Sequence, residues 1–263
     1  MKYSILFLFL LLCVCANSQT AGPSVTTRSG KGALYFGVGF HRVFYTRIDI
    51  SFKDTRTSNY DFTLHRVKSR DDNSFDFGQG IDAPQYSYRI GYYSGKKDIG
   101  IEFSFDHAKY IVVADQKVRI SGQIKGNKIN SDTTLHGAFL EYEHTDGANY
   151  YMLHLAKRRQ LAVSANRKHC LSLVVKPGAG IVLPRSDTRV MGLHRDDSYH
   201  LAGYIIGMDA GLRYDLLKHV YVEATFKAAF ANFKDVLLYG DGRAQQHWWS
   251  FQPILIAGFR LPV

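Results

Sequence analysis

Two short stretches of this 263-residue chain place a histidine beside a carboxylate. Residues 106–107 read Asp-His, and residues 143–146 read Glu-His-Thr-Asp. These are the usual groups of general acid–base catalysis, and Ser104 lies close to the first of them. If these groups met at the outer end of a membrane protein, they would suit an enzyme that modifies lipids. The favoured interpretation is rim hydrogen bonding that orders neighbouring loops, so no catalytic residue is assigned.

Three other stretches contain residue types that bind ions. Residues 194–200 hold two histidines and two aspartates, but their spacing matches no defined zinc site. Residues 60–72 mix three cations with three aspartates and could dock on lipopolysaccharide phosphates. Residues 240–243 read Gly-Asp-Gly-Arg, which is a turn signal without the strand–helix context of a phosphate-binding loop. We interpret all three as solvated loops and expect neither a metal nor a cofactor.

A different set of charged residues recurs at alternate positions within apolar stretches. In 98–106, for example, Glu102 and Asp106 alternate with Ile101, Phe103 and Phe105. Such alternation is typical of a strand with one polar and one apolar face. The charged members of this polar phase are Arg89, Glu102, Asp106, Lys176, Asp209, Arg213, Glu223, Lys227 and Arg260.

The elements that must position these charges are β-strands. Patterns with a period of two predict eight main strands near 33–46, 86–94, 98–113, 147–158, 169–183, 199–214, 219–231 and 247–261. The connections alternate between short (94–97 and 216–219, with 159–168 intermediate) and long (47–85, 114–146, 184–198 and 232–246). This alternation favours an all-β, antiparallel, up-and-down transmembrane barrel. Residues 117–124 and 135–142 are strand-like too, as hairpins above the membrane or, alternatively, as part of a ten-stranded barrel.

In such a barrel the apolar phase faces lipid and the charged phase fills the lumen. Arginine or lysine on the lipid face costs about 2–4 kcal/mol at mid-depth, so the opposite phase is excluded in a membrane. Eight strands leave room only for side chains, and the signs of the luminal charges nearly balance. We therefore expect a salt-bridged plug, with a narrow channel as the alternative. Pro177 and Pro253 lie within predicted strands and should mark bulges or strand ends.

The N-terminal residues predict export. The apolar run from Ile5 to Val14 is too short to span a bilayer as a helix and has the length of a secretory signal. We expect a signal peptide over 1–18, a periplasmic segment over 19–31 and the barrel over 32–263. Cys13 and Cys15 leave with the signal, so Cys170 remains alone and no intramolecular disulfide can form.

The pattern resembles small outer-membrane β-barrel proteins of Gram-negative bacteria, of the uncharacterised OmpA/OmpW-like group. Residues 60–64, 106–110 and 143–147 carry the resemblance, which covers about 32–263. It implies an outer-membrane location and brings no catalytic set with it. The chain ends Arg-Leu-Pro-Val, whereas such barrels often end on an aromatic residue.

The net charge of +10 does not indicate nucleic-acid binding in an exported barrel. Much of the excess lies at the predicted periplasmic end, where anionic headgroups are the neighbours. This set comprises Lys96, Lys97, Lys157, Arg158, Arg159, Arg167, Lys168 and Lys218. We expect a monomer that contacts outer-membrane lipids and lipopolysaccharide, and whose outer loops bind a surface partner. A lipid enzyme and a channel remain the alternative functions.

Overall fold

The computed structural model describes residues 32–72, 85–95, 98–166, 168–196, 198–216 and 219–263. The predicted signal peptide and periplasmic segment lie outside these residues. No helix in the described part is long and apolar enough to cross a membrane, a finding that concerns helices only.

The described residues form eighteen β-strands. They are β1 (Ala33–His41), β2 (Phe44–Tyr45), β3 (Ile48–Asp54), β4 (Tyr60–Val67), β5 (Ser69–Arg70), β6 (Tyr86–Tyr93), β7 (Ile99–Asp106), β8 (Tyr110–Val112), β9 (Lys117–Ile124), β10 (Asn127–Thr134), β11 (Leu140–His144), β12 (Tyr150–Val163), β13 (His169–Val182), β14 (Asp187–Val190), β15 (Leu193–Asp196), β16 (Gly203–Leu216), β17 (Val220–Leu237) and β18 (Arg243–Pro262).

Eight of these strands close into an antiparallel barrel, in the order β1, β6, β7, β12, β13, β16, β17 and β18. The ring closes because β1 pairs with β18, from Ala33 opposite Pro262 to His41 opposite Ile254. The other edge of β1 pairs with β6. Each strand therefore has two neighbours, which a membrane requires because lipid offers no hydrogen bonds to a bare backbone. The predicted up-and-down barrel and its eight strands are confirmed, and the pairing of β1 with β18 closes the ring.

Burial follows the predicted phase around the ring. Phe40 and Phe259, on the outer face, are 61% and 64% exposed, whereas Lys176, Arg213 and Lys227 on the inner face are 0% exposed. An apolar exterior around a charged interior is the arrangement of a transmembrane barrel. It agrees with the predicted location in the outer membrane.

Several strand limits differ from the prediction. β12 continues to Val163 and β13 begins at His169, so the expected intermediate link 159–168 is reduced to the five residues 164–168. β17 and β18 also run beyond their predicted limits, across a register shift between Phe233 and Val236. These strands were predicted too short because their last residues are polar. A strand that leaves the membrane no longer needs an apolar face, but its hydrogen-bond ladder continues.

The two prolines lie inside continuous strands, contrary to the expectation of bulges or strand ends at those positions. Pro177 lies within β13 and Pro253 within β18. Near Pro253 the interruption lies in the segment that pairs with β18. There β1 ends at His41, and β2 begins at Phe44. A residue without an N–H therefore costs little hydrogen bonding at this place.

The long connections form a folded cap at the end of the barrel opposite to β1's first residue. In this cap, β3 pairs with the upper part of β18, and β4, β9 and β10 extend that sheet. A second sheet has the order β15, β14, β11, β8 and β5. The predicted strand at 117–124 is confirmed as β9, outside the ring. The predicted strand at 135–142 is formed only in its last three residues, because β10 ends at Thr134 and β11 begins at Leu140.

The cap encloses a hydrophobic core that joins both sheets to the barrel. Phe52 of the first sheet packs edge-on against Tyr142 of the second, with ring centroids 5.6 Å apart. Trp248 of β18 stacks on Tyr110 at 4.4 Å and donates a hydrogen bond from Nε1 to the Tyr150 hydroxyl at 3.0 Å. Neighbouring residues of a strand face opposite ways, so Trp248 is buried in this core whereas Trp249 is exposed on the outer face.

Candidate functional site

The lumen of the barrel is the best-defined polar site in the described residues, and it is built in layers. In the layer nearest to the chain termini, three arginines converge on one carboxylate, that of Asp215. Arg213 Nε lies 3.0 Å from Asp215 Oδ1, while Arg158 and Arg260 approach Oδ2 at 3.3 and 3.2 Å. Arg158 also pairs with Asp98 at 3.0 Å.

The middle layer is centred on Lys176 of β13. Its Nζ lies 2.7 Å from Glu102 Oε2 and 2.5 Å from Glu223 Oε1. Glu102 also accepts a hydrogen bond from the Tyr35 hydroxyl at 2.8 Å, and Glu223 approaches Arg213 of the layer below at 3.7 Å. One ammonium group therefore joins carboxylates from opposite parts of the wall.

The layer nearest to the cap is centred on Asp106. Arg89 contacts Oδ1 of Asp106 at 2.7 Å, and Lys227 contacts Oδ2 at 2.5 Å. Asp209 lies 3.8 Å from Arg89 and 3.5 Å from Lys227. Arg89 Nε lies 3.6 Å from Glu102, which links this layer to the middle one. The structure thus brings all nine residues of the predicted luminal set into one chain of ion pairs.

Aromatic rings fill the space around the arginines of the layer nearest to the chain termini. The Arg213 guanidinium lies 3.5 Å from the ring centroid of Tyr221 and 4.9 Å from that of Tyr35, in the geometry of cation–π contacts. The hydroxyl groups of these two tyrosines occupy the space that a Cβ would need at Gly37 and Gly91. Glycine on the polar phase is therefore required where a large ring crosses the narrow lumen.

Sequence reasoning missed Asp215 and Arg158 as members of this site. Asp215 lies two residues beyond Arg213 on the same face, but the predicted strand ended at 214. Arg158 was assigned to the basic set at the barrel end, although its side chain is only 3% exposed and points inward. Both residues continue the period-two pattern at the ends of the predicted strands, and that pattern is the signal that could have found them.

One group of buried side chains has the composition of a metal site. Ligand atoms of Glu102, His154 and Asp209 lie within 4.8 Å of one another. Both ring nitrogens of His154 have other partners, however: Nε2 lies 2.8 Å from Ser104 Oγ, and Nδ1 lies 3.0 Å from the Lys176 carbonyl oxygen. The carboxylates are balanced by neighbouring cations. The arrangement is therefore that of a self-compensated polar core.

The residues considered for acid–base chemistry are dispersed. Asp106 points into the lumen, whereas the neighbouring His107 lies 3.0 Å from Asn149 Oδ1. Glu143 accepts a hydrogen bond from Thr145, and Asp146 pairs with Arg185. The Ser104–His154 hydrogen bond joins a hydroxyl to an imidazole, but both side chains are buried inside the barrel.

His144 lies in the core of the cap rather than at an open rim. Its Nδ1 lies 2.8 Å from Ser186 Oγ and its Nε2 lies 2.9 Å from Gln246 Nε2. Its ring stacks on Phe233, with centroids 5.4 Å apart. Burial lowers the pKa of His144 to about 3, because the charged imidazolium would lose its hydration.

The other stretches with ion-binding residue types form separate surface contacts. His194 pairs with Asp187 at 2.7 Å and His200 with Asp235 at 2.8 Å, so the two histidines are not brought to one site. Residues 60–72 contribute to β4 and β5, and Asp71, directly after β5, pairs with Arg42 at 2.6 Å. The segment 240–243 lies at the connection between β17 and β18, as its turn signal predicts.

Only some residues of the basic set predicted at the periplasmic end lie in the described part of the chain. Lys157 and Arg159 face outward on β12. Lys96, Lys97, Arg167 and Lys218 lie outside the described residues.

No family model and no curated protein matches the chain, but solved structures do. The attachment invasion locus protein Ail of Yersinia pestis, in complex with the heparin analogue sucrose octasulfate, is 12% identical over 88% of this chain and 99% of its own, with a TM-score of 0.32. The outer membrane protein OprG from Pseudomonas aeruginosa is 8% identical over 89% and 97%, with a TM-score of 0.37. Neisserial surface protein A is 9% identical over 86% and 97%, with a TM-score of 0.28. At such scores the assignment of a barrel rests on this chain's own strand pairing.

Proposed function

We propose that this protein is an integral outer-membrane barrel whose lumen is plugged by ion pairs and whose cap, on the outside of the cell, binds a surface partner. The observation that carries the proposal is the folded cap. Its strands enclose a hydrophobic core that continues into the barrel, so they do not form loose loops. Ordered structure above a filled lumen supports a binding platform better than it supports a pore.

The plug is supported by the dimensions and contents of the barrel. An eight-stranded barrel has an interior just wide enough for side chains. Here the ion pairs of all three layers cross that interior, and their members are almost completely buried except Arg260 and Asp98, which lie at the end of the barrel. An ion passing through would have to displace these paired charges.

The binding role is supported by the outer face of the sheet formed by β3, β4 and β9. On this face Lys53 pairs with Asp61 at 3.0 Å, and the Ser51 and Thr63 hydroxyl groups lie 2.9 Å apart. A groove beside them is lined by three cations and three aspartates, namely Lys53, Arg56, Arg243, Asp54, Asp61 and Asp241. Hydroxyl groups and charges of both signs on a rigid sheet suit a polar partner such as lipopolysaccharide, while outer-membrane lipids surround the apolar belt.

Membrane fractionation and planar-bilayer recording test the barrel and its plug. The mature protein is expected in the outer-membrane fraction and to be extracted only by detergent. The reconstituted protein is expected to show no conductance steps, whereas a porin treated in parallel shows them. Recovery from the soluble periplasm contradicts the membrane assignment, and regular conductance steps contradict the plug.

Binding of intact cells to purified lipopolysaccharide and to surface polysaccharides tests the role of the cap. Cells that produce the protein are compared with a deletion strain, and the lipids of both strains are analysed. Binding is expected to fall in the deletion strain and in the double variant Lys53→Ala/Arg56→Ala. It should persist in Lys125→Ala, which removes one positive charge at another cap turn. Unchanged binding together with altered lipids in the deletion strain would favour a lipid-modifying enzyme.

A further inference from the structure

We propose that two copies of this chain associate through their caps, by antiparallel pairing of β10 with β10 centred on Asn130. The inference rests on the proposed function, because it names a second copy of the chain as a partner of the cap. It replaces the monomer expected from the sequence.

β10 is the free edge of the large sheet. The strand order runs from the barrel through β18, β3, β4 and β9 and ends at β10. Among the described residues, β10 pairs with β9 alone, and most of its side chains are exposed. An edge strand offers a row of backbone donors and acceptors to another strand.

The turn that joins β9 to β10 shows which backbone groups are free. Lys125 and Gly126 have φ values of 50° and 78°, as in a two-residue type I′ turn. The residues that flank such a turn, Ile124 and Asn127, form a hydrogen-bonded pair, and bonded pairs then alternate along the hairpin. The odd-numbered residues of β10 therefore bond to β9. The bond from Leu135 N to the Gln116 carbonyl oxygen, at 3.0 Å just beyond the strand, agrees with this alternation.

The even-numbered residues of β10 consequently direct their N–H and C=O groups to the free side. These residues are Lys128, Asn130, Asp132 and Thr134, of which the first three are exposed. Neither charged side chain forms an ion pair within the described part of the chain. Both the backbone groups and the charges are thus available to a partner strand.

The sequence of β10 is complementary to itself in one register. When two copies pair around Asn130, Lys128 of each copy lies opposite Asp132 of the other, on the same face of the sheet. Opposite charges at directly facing positions stabilise a strand pair, and like charges destabilise it. Centring the pair on Lys128 or on Asp132 would oppose like charges. A two-fold contact of this kind is isologous, so each ion pair occurs twice.

Cysteine cross-linking in native outer membranes tests this register. In a Cys170→Ser background, Asn130→Cys places two thiols directly opposite each other. Facing Cα atoms in a hydrogen-bonded pair are about 5.5 Å apart, which a disulfide spans. Mild oxidation is expected to give a disulfide-linked dimer. The matched control Gln123→Cys, on β9, is expected to stay monomeric. Lys128→Cys and Asp132→Cys chains should cross-link when produced together, and much less when each is produced alone.

A second measurement needs no introduced cysteine. Sedimentation of the detergent-solubilised protein is expected to show a dimer for the wild type and loss of that dimer for Lys128→Asp. Heat-dependent mobility on a denaturing gel checks that each variant retains its folded barrel. Equal cross-linking from Gln123→Cys, or a monomeric wild type with no Asn130→Cys dimer, overturns the proposal. If the monomeric protein still binds its surface partner, self-association is wrong and the proposed function stands.

Discussion

At the scale of single residues, the lumen shows how buried charges are tolerated. Removing a charge from water costs several kcal/mol, and only good geometry with further hydrogen bonds repays that cost. Glu102, Asp106 and Asp215 each accept hydrogen bonds from at least two donors, as Glu102 does from Lys176 and the Tyr35 hydroxyl. Asp209 is held by ion-pair contacts alone, at 3.5 Å from Lys227 and 3.8 Å from Arg89. The arrangement makes every member costly to remove singly, because its partners remain buried.

This argument predicts opposite sensitivities at two positions of β17. Glu223→Leu leaves Lys176 and Arg213 short of a counter-charge, so the variant should lose about 3–5 kcal/mol of stability. Phe226→Leu exchanges one apolar group for another on the lipid face and should change stability much less. Urea unfolding of both variants in detergent measures the difference. Equal midpoints would contradict the assignment of Glu223 to the lumen.

His144 makes a prediction about pH. Its pKa is about 3 in the folded cap and near 6.5 when unfolded, so the unfolded state takes up the proton first. Stability from neutral His144 is therefore complete above pH 6.5 and is lost as the pH falls towards 3, by about 1.4 kcal/mol per pH unit. The stability advantage of the wild type over His144→Gln should shrink between pH 7 and pH 4. A constant advantage would show that His144 titrates normally.

The faces of the luminal residues could be predicted from the sequence, but their exact partners could not. A period of two fixes which side chains share a face of one strand. It does not fix the stagger between strands, and the stagger decides that Lys176 reaches Glu102 from a strand two places away in the ring. Asp215 and Arg158 were missing from the predicted luminal set for a simpler reason, since each lies at or just beyond the end of a predicted strand.

At the scale of elements, the cap is where sequence reasoning is weakest. Its strands are short and polar outside, so they read as loops, and the core that supports them is assembled from distant segments. Phe52, Tyr110 and Tyr142 come from three different short strands, which lie in two of the long connections. No local sequence pattern predicts that these side chains are in contact. Trp248 shows the same difficulty, because its place at the junction of barrel and cap depends on rings from several of those segments.

The two tryptophans provide a matched test of the junction. Trp248→Ala removes the ring that stacks on Tyr110, and such truncations cost about 3–5 kcal/mol. Cap segments should then become sensitive to protease on intact cells while the barrel keeps its heat-dependent gel mobility. Trp249→Ala changes the adjacent residue on the outer face and should leave protease resistance unaltered. Equal sensitivity in both variants would show that Trp248 does not hold the cap to the barrel.

At the scale of the whole molecule, the ring depends on a single pairing between its first and last strands. The alternation of short and long connections predicted a closed ring, because a sheet in lipid cannot keep an edge. The same rule does not apply to the cap, which water surrounds, and there β10 remains open.

The seam can be tested with one cysteine pair. In a Cys170→Ser background, Val38→Cys and Ala257→Cys place thiols on directly paired residues of β1 and β18, and an intramolecular disulfide is expected. Val38→Cys with Val222→Cys is the control, since β17 lies one strand further, about 10 Å away at 4.7–4.9 Å per strand. Gel mobility of the folded, oxidised protein reads out the link. Its absence from the first pair would indicate an open sheet.

The seam also dictates an order of events during folding. Neighbouring hairpins such as β6–β7 and β16–β17 can form soon after their residues are available, because their loops are short. The β1–β18 contact joins segments from opposite ends of the chain, and contacts of that kind form slowly. Until they form, the unfinished barrel carries two bare strands that can pair with any other unfinished copy. The slow final step thus sets how long each newly made molecule is prone to aggregate, and chaperoning is needed most during that interval.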